Sequence, residues 1–292
     1  MPEWKGKTRG GIQGYKIFVF LITKLGLNSA YFILVFVSAY FLIAAPKATK
    51  SIYTYLRKIH KHNRMKAGIG VYRTFYVFGQ TLIDKIAIGS GQKSKFKYKF
   101  DGRENLEALS TKGGIILSAH LGNWEVAGFL LGDVKSDTNI LMYEAEHEKI
   151  KVFLQAVMTE YQMKIIAIKE DLSHIYKLSN VLRNNEVVCI HGDRFMDGSR
   201  VVKRKLMGYE ASIPLGPFRI ACSLSASTTM AYAFRERNKT YQLSASPIEQ
   251  PTKNPELLLE KYIELLESKM RKYPYQWFNF YDFWNFSGNQ KA

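Results

Sequence analysis

The sequence predicts an α/β fold: a mixed sheet flanked by helices on both faces, preceded by a membrane-seeking helical segment. Three observations predict it. Beyond residue 100, apolar runs of strand length alternate with segments of helical period. A charge-free stretch, LGLNSAYFILVFVSAYFLIAAP at 25–46, sits between Lys24 and Lys47. At 292 residues and 47% hydrophobic content, the chain can bury one main core and still carry an appendage.

Taken in order, residues 1–47 read as an N-terminal membrane anchor segment and 48–292 as a catalytic domain. Trp4, Tyr15 and Tyr31 could contact a lipid interface, and lysines flank the apolar stretch on both sides. Such flanks suit a spanning helix or one lying in an anionic membrane surface; a buried bundle helix is the soluble alternative. Residues 48–88 follow a helical pattern, and Gly89–Gly91 punctuates it. KSKFKYKF, 93–100, alternates strictly and predicts a half-buried strand whose lysine face marks a sheet edge. Further strands are expected at Ile115–Ala119, Asn139–Tyr143, Ile165–Ile168, Val187–Ile190, Thr228–Phe234 and Tyr241–Ala245. Helices are expected around 124–132, 146–161 and 172–184, with a long one from Pro255 to Arg271.

Forty-two Lys+Arg against 25 Asp+Glu leave a net charge of +17, a surface that steers polyanions. Nucleic acid, anionic lipid and an acidic carrier protein all fit charge alone. No zinc-finger spacing, RNA-binding aromatic signature or basic-region heptad is present, so no nucleic-acid partner is expected. Cys189 and Cys222 lie in apolar runs and read as buried reduced thiols. YEAEHEK, 143–149, reads as a solvated helix start, where neighbouring acids point apart; no metal is expected.

GGIILSAHLGNWEVAG, 113–128, carries the chemistry. His120 ends a buried strand and faces the crevice beyond the carboxyl edge of the sheet. Asn123 is a helix N-cap, which puts Glu125 in the first turn and folds its carboxylate back towards the imidazole. His120 therefore reads as a general base with Glu125 as its orienting partner. A capped helix with a hydrogen-bonded core histidine is the bland alternative. Ser118 shares the strand face of His120, but no G-x-S-x-G elbow surrounds it.

The His-x₄-Glu block resembles the first motif of the glycerolipid acyltransferase superfamily, usually His-x₄-Asp. More narrowly, the chain resembles the lipid A biosynthesis acyltransferases of lauroyl/myristoyl type. Four blocks occur in the family's order: SAHLGNWE, then EVVCIHGDR at 186–194, GYEASIPLGPFRIA at 208–221, and the aromatic YPYQWFNFYDFW. The resemblance spans nearly the whole chain. It implies transfer of an acyl group, from acyl carrier protein or coenzyme A thioester, to a hydroxyl of a membrane lipid acceptor. An inner-membrane location is expected, and the basic residues that follow the apolar stretch, Lys47 to Lys66, bias the catalytic domain towards the cytoplasm. No cofactor is implied, since the acyl thioester is a substrate.

Asp193 and Arg194 follow another strand of the same sheet and are expected to converge on the crevice, Asp193 with a catalytic role. Arg194, Asn123, Lys203 and Arg204 are expected to bind substrate, Arg194 through a phosphate. The alternatives are a turn residue for Asp193 and a solvated loop for the lysines. Residues 144–162 lack the arginine common in lipid A enzymes, and His-Gly-Asp-Arg suggests a divergent branch. An aminolipid, a glycolipid or a polyene-type precursor could thus replace lipid A as acceptor. A thioester hydrolase and a non-catalytic basic binding module are the other classes.

Overall fold

The computed structural model describes residues 12–131, 138–142, 153–154, 156–158, 164–169, 171–195 and 198–286. Helices α1 (Ile12–Phe20), α2 (Leu27–Ala44), α3 (Pro46–Lys58) and α4 (Arg64–Ala87) come first. Leu27, Ala30, Tyr31, Leu34 and Ser38, three or four residues apart, form the buried face of α2. Tyr31 and Leu34 on that face reach Asp84 and Gly79 of α4. The opposite face presents Phe32, Phe36, Tyr40 and Ile43 to the exterior. Among the described residues, α2 is the one helix long and apolar enough to cross a membrane by length and composition. Asn63 starts α4, its side chain accepting from the Lys66 amide at 2.8 Å.

The sheet follows. Its strands are β1 (Lys97–Asp101), β2 (Gly114–Ser118), β3 (Thr138–Met142), β4 (Lys164–Ala167), β5 (Val187–His191), β8 (Thr228–Arg235) and β9 (Thr240–Ala245). Strands β6 (Val201–Leu206) and β7 (Tyr209–Pro214) form a separate antiparallel hairpin. The seven strands lie in the order β1-β9-β8-β2-β5-β3-β4, all neighbours parallel except β8 and β9. Helices α5 (Arg103–Lys112), α6 (Trp124–Leu131), α7 (Ser173–Arg183), α8 (Gly216–Ser223) and α9 (Pro255–Lys272) connect or flank them.

Strand β2 is buried on both sides, which is why it reads as an unbroken apolar run. Ile115 and Leu117 join the core built with α3, α8 and α9, while Ile116 joins Leu106 and Leu109 of α5. The mixed sheet with helices on both faces is as expected, and most strand limits shift by only a residue or two. One expectation fails: residues 93–95 form a short 3-10 turn, and the edge strand starts at Lys97. The reason is pairing. β9 is the neighbour of β1, and it begins opposite Lys97 at Thr240, so 93–96 have no strand to join. Tyr143, the rest of YEAEHEK and most of the 146–161 helix expectation lie outside the described residues.

Candidate active site

Parallel pairing between β2 and β5 places Ser118 opposite His191. The residue two beyond each strand end therefore meets its counterpart, and those residues are His120 and Asp193. His120 Nδ1 lies 2.9 Å from Asp193 Oδ1. The His120 backbone amide donates to Asp193 Oδ2 at 3.1 Å, and Asn279 Nδ2 donates to the same oxygen at 3.1 Å. Asp193 is fully buried, whereas the His120 side chain is 26% exposed. With Nδ1–H donating to the aspartate, Nε2 is the basic nitrogen; it has no hydrogen-bond partner among the described residues.

The turn that carries His120 is fixed on both sides. Its carbonyl accepts from the Phe278 amide at 2.9 Å, and the Gly122 amide donates to the Gln276 carbonyl at 2.9 Å. Gly122 adopts φ +76°, and a Cβ there would lie 2.2 Å from the Ala233 carbonyl oxygen, so the turn requires glycine. Asn123 then caps α6, its Oδ1 accepting from the Val126 amide at 3.3 Å. The aromatic C-terminal segment thus packs as core, with Trp277, Phe278, Phe283 and Trp284 buried, and its backbone completes the site.

Electrostatics favour a neutral base beside an ionised acid. Burial holds the His120 imidazole below its usual value of 6.5, and the Arg194 guanidinium adds to this; Asp193 opposes both. Burial alone would raise Asp193, but His120, Arg194 and His191 outweigh it and hold the carboxyl well below the usual carboxylate range. The His191 ring packs against His120 at 4.6 Å and edge-on to Trp124 at 5.0 Å. Burial, then the neighbouring His120, hold it at about 3, so it stays neutral.

Several expected roles change. Glu125 forms an ion pair with Lys85 at the end of α4, at 2.5 Å, so the hydrogen bond of the imidazole is to Asp193, while the Glu125 charge still favours the imidazolium. The cause is geometric, because strand register aligns 120 with 193 while the first turn of α6 points Glu125 at α4. Asn123 is 4% exposed and its amide donates to the Thr81 carbonyl and the Tyr241 hydroxyl, both at 3.1 Å, so it cannot turn to a substrate. Arg194 donates to Asn279 Oδ1 at 2.6 Å and to the Phe278 carbonyl at 2.7 Å, so it holds the C-terminal segment. Lys203 and Arg204 lie on β6, where they pair with Glu210 at 2.8 Å and Glu256 at 2.6 Å. No contact among the described residues ties either to the His120 turn. Ser118 Oγ donates to the Ala231 carbonyl at 2.8 Å inside the sheet. Sequence reasoning missed Gln276 and Asn279. Their signal was available: two neutral polar residues within an aromatic run must find partners when buried.

A partly exposed imidazole, hydrogen-bonded to a buried carboxylate at the carboxyl edge of a largely parallel sheet, is an arrangement suited to acid–base chemistry in an α/β enzyme. Residues 12–285 match the family model for the bacterial lipid A biosynthesis acyltransferases, and the chain belongs to that family; it is an acyltransferase. Among curated proteins, none matches it significantly.

Proposed function

We propose that this enzyme moves a fatty acyl group from an acyl thioester to a hydroxyl of a membrane lipid, lipid A-like or a related bacterial lipid. The observation that carries the reading is the His120–Asp193 pair with Nε2 left for the acceptor. Nε2 removes the acceptor proton as that oxygen attacks the thioester carbonyl. A C–O bond forms, the tetrahedral oxyanion collapses, and the C–S bond breaks. The departing thiolate takes its proton from the imidazolium. Asp193 keeps the productive tautomer and stabilises the imidazolium between these steps. The step uses no metal and no cofactor, and the donor is an acyl carrier protein or coenzyme A thioester.

The enzyme works at the cytoplasmic face of the inner membrane. Exposed apolar residues on α2 and the net charge of +17 support contact with an anionic lipid surface. The test is transfer from labelled acyl-coenzyme A and acyl-carrier-protein donors to fractionated bacterial lipids by the full-length protein. One lipid class should gain an acyl-sized mass. Release of free fatty acid with no acylated lipid would replace this reading with a hydrolase.

A further inference from the structure

Asp84 of α4 is fully buried and lies outside the chemistry described above. Three side chains donate to it: the Tyr241 hydroxyl at 2.6 Å, Arg235 Nε at 2.7 Å, and the Tyr31 hydroxyl through a short hydrogen bond. The Arg235 guanidinium also lies over the Tyr31 ring, 5.1 Å from its centroid. Burial raises the Asp84 carboxyl above its usual value, while Arg235 and the two hydroxyls oppose this, and three donors suit the ionised form. A cluster of this kind is a poor source of stability compared with apolar packing, which directs attention to what it positions.

Both arms of the cluster lead to the His120 turn. Through one, the Tyr241 hydroxyl accepts from Asn123 Nδ2 at 3.1 Å while donating to Asp84, and Asn123 caps α6. Through the other, the Arg235 amide and carbonyl pair with the Gln276 side chain at 3.0 and 2.8 Å. Gln276 in turn accepts from Gly122. Asp84 is therefore a hub with one spoke on α2 and two on the turn 120–123.

We propose that Tyr31 and Asp84 are positioning residues: docking of α2 on α4 sets the turn that carries His120, so the membrane-seeking helix is part of the active-site scaffold. This rests on His120 being the base. A misplacement of about 1 Å far from the chemistry can cost about 10² in rate, so loss of one spoke is enough to register.

The test uses the full chain in detergent micelles, with Tyr31→Phe and Tyr241→Phe each removing one hydroxyl, and Asn28→Ala as an exposed control on α2. Two quantities are read: kcat and KM for the acyl thioester, and the low-field Nδ1 proton resonance of His120 in protein labelled with ¹⁵N-histidine. Each tyrosine variant should lower kcat about tenfold or more at unchanged donor KM and shift or broaden that resonance. Asn28→Ala should change neither. Wild-type kcat and an unmoved resonance in a folded Tyr31→Phe protein would overturn the proposal, and Tyr241→Phe decides it in the same way should Tyr31→Phe not fold. If the wild-type chain transfers no acyl group, the proposed function fails, while the resonance still reports whether Tyr31 positions His120.

Discussion

Replacing Asp193 by asparagine tests the site most directly, because the structure dictates how the amide must turn. Among the hydrogen bonds of the described residues, Oδ2 accepts two donors, the His120 amide and Asn279 Nδ2, whereas Oδ1 accepts from the His120 ring. In Asp193→Asn the amide oxygen has to occupy the doubly donated position. Its NH₂ then faces Nδ1, which must become an acceptor, and the ring proton moves to Nε2. The variant keeps its shape but loses its base. An imidazole locked in the wrong tautomer costs roughly 10³–10⁴ in kcat, about 4–5 kcal/mol of barrier. The assay is single-turnover transfer from a labelled acyl thioester to the acylated lipid fraction, with thermal unfolding to show that the variant is folded. Turnover within tenfold of wild type would refute the argument. So would a Glu125→Gln protein that falls as far as His120→Ala while Asp193→Asn does not.

Glu125→Gln should remove the Lys85–Glu125 ion pair and lower the unfolding temperature, yet leave far more activity than Asp193→Asn; equal losses in the two would show that Glu125 acts on the imidazole directly. Because burial holds His120 below 6.5, its basic form persists into mild acid, and the acid limb of kcat/KM should have an apparent pKa under 6.5; a limb at 7 or above would contradict this. Stability should fall over the same range. His60 and His191, held to about 4 and about 3 chiefly by burial, stay neutral in the folded protein while their unfolded counterparts take up protons below 6.5, so an unfolding temperature flat from pH 7 to 5 would count against their burial. High salt should leave the protein on membranes and detergent should release it, because Phe32, Phe36, Tyr40 and Ile43 offer apolar rather than ionic contact; complete release by salt would show a purely electrostatic attachment.

Much of this site was legible because its strands are buried on both faces. β2, β5 and β8 appear as apolar runs, and the residues that follow β2 and β5 fall at the crevice by topology alone. The partner of His120 was misread because His-x₄-Glu is a local pattern, whereas the contact is made across 73 residues by strand register. Nothing in a single sequence fixes register between two featureless apolar strands. The β6–β7 hairpin was missed for a different reason. Its turn is Met207-Gly208, both with positive φ, rather than an asparagine–glycine pair, and Lys203–Lys205 drew attention as charge instead of as alternation. Asp84 lay hidden in TLIDKIA, where one acid in a helical pattern looks like its solvated edge.

The contacts from residues 276–279 to the His120 turn carry a consequence for timing. Every strand of the sheet precedes Gln276 in the chain, so synthesis delivers a nearly complete scaffold before the segment that ties down Gly122, His120 and Asp193. The hydrophobic helices between Ile12 and Lys58 precede the sheet and can find their place while it is being made. Until Asn279 is free to move, the aspartate lacks one of its three donors and the histidine turn lacks its backbone clasp. The His120–Asp193 arrangement thus waits for residues 276–279, which are made after every strand of the sheet.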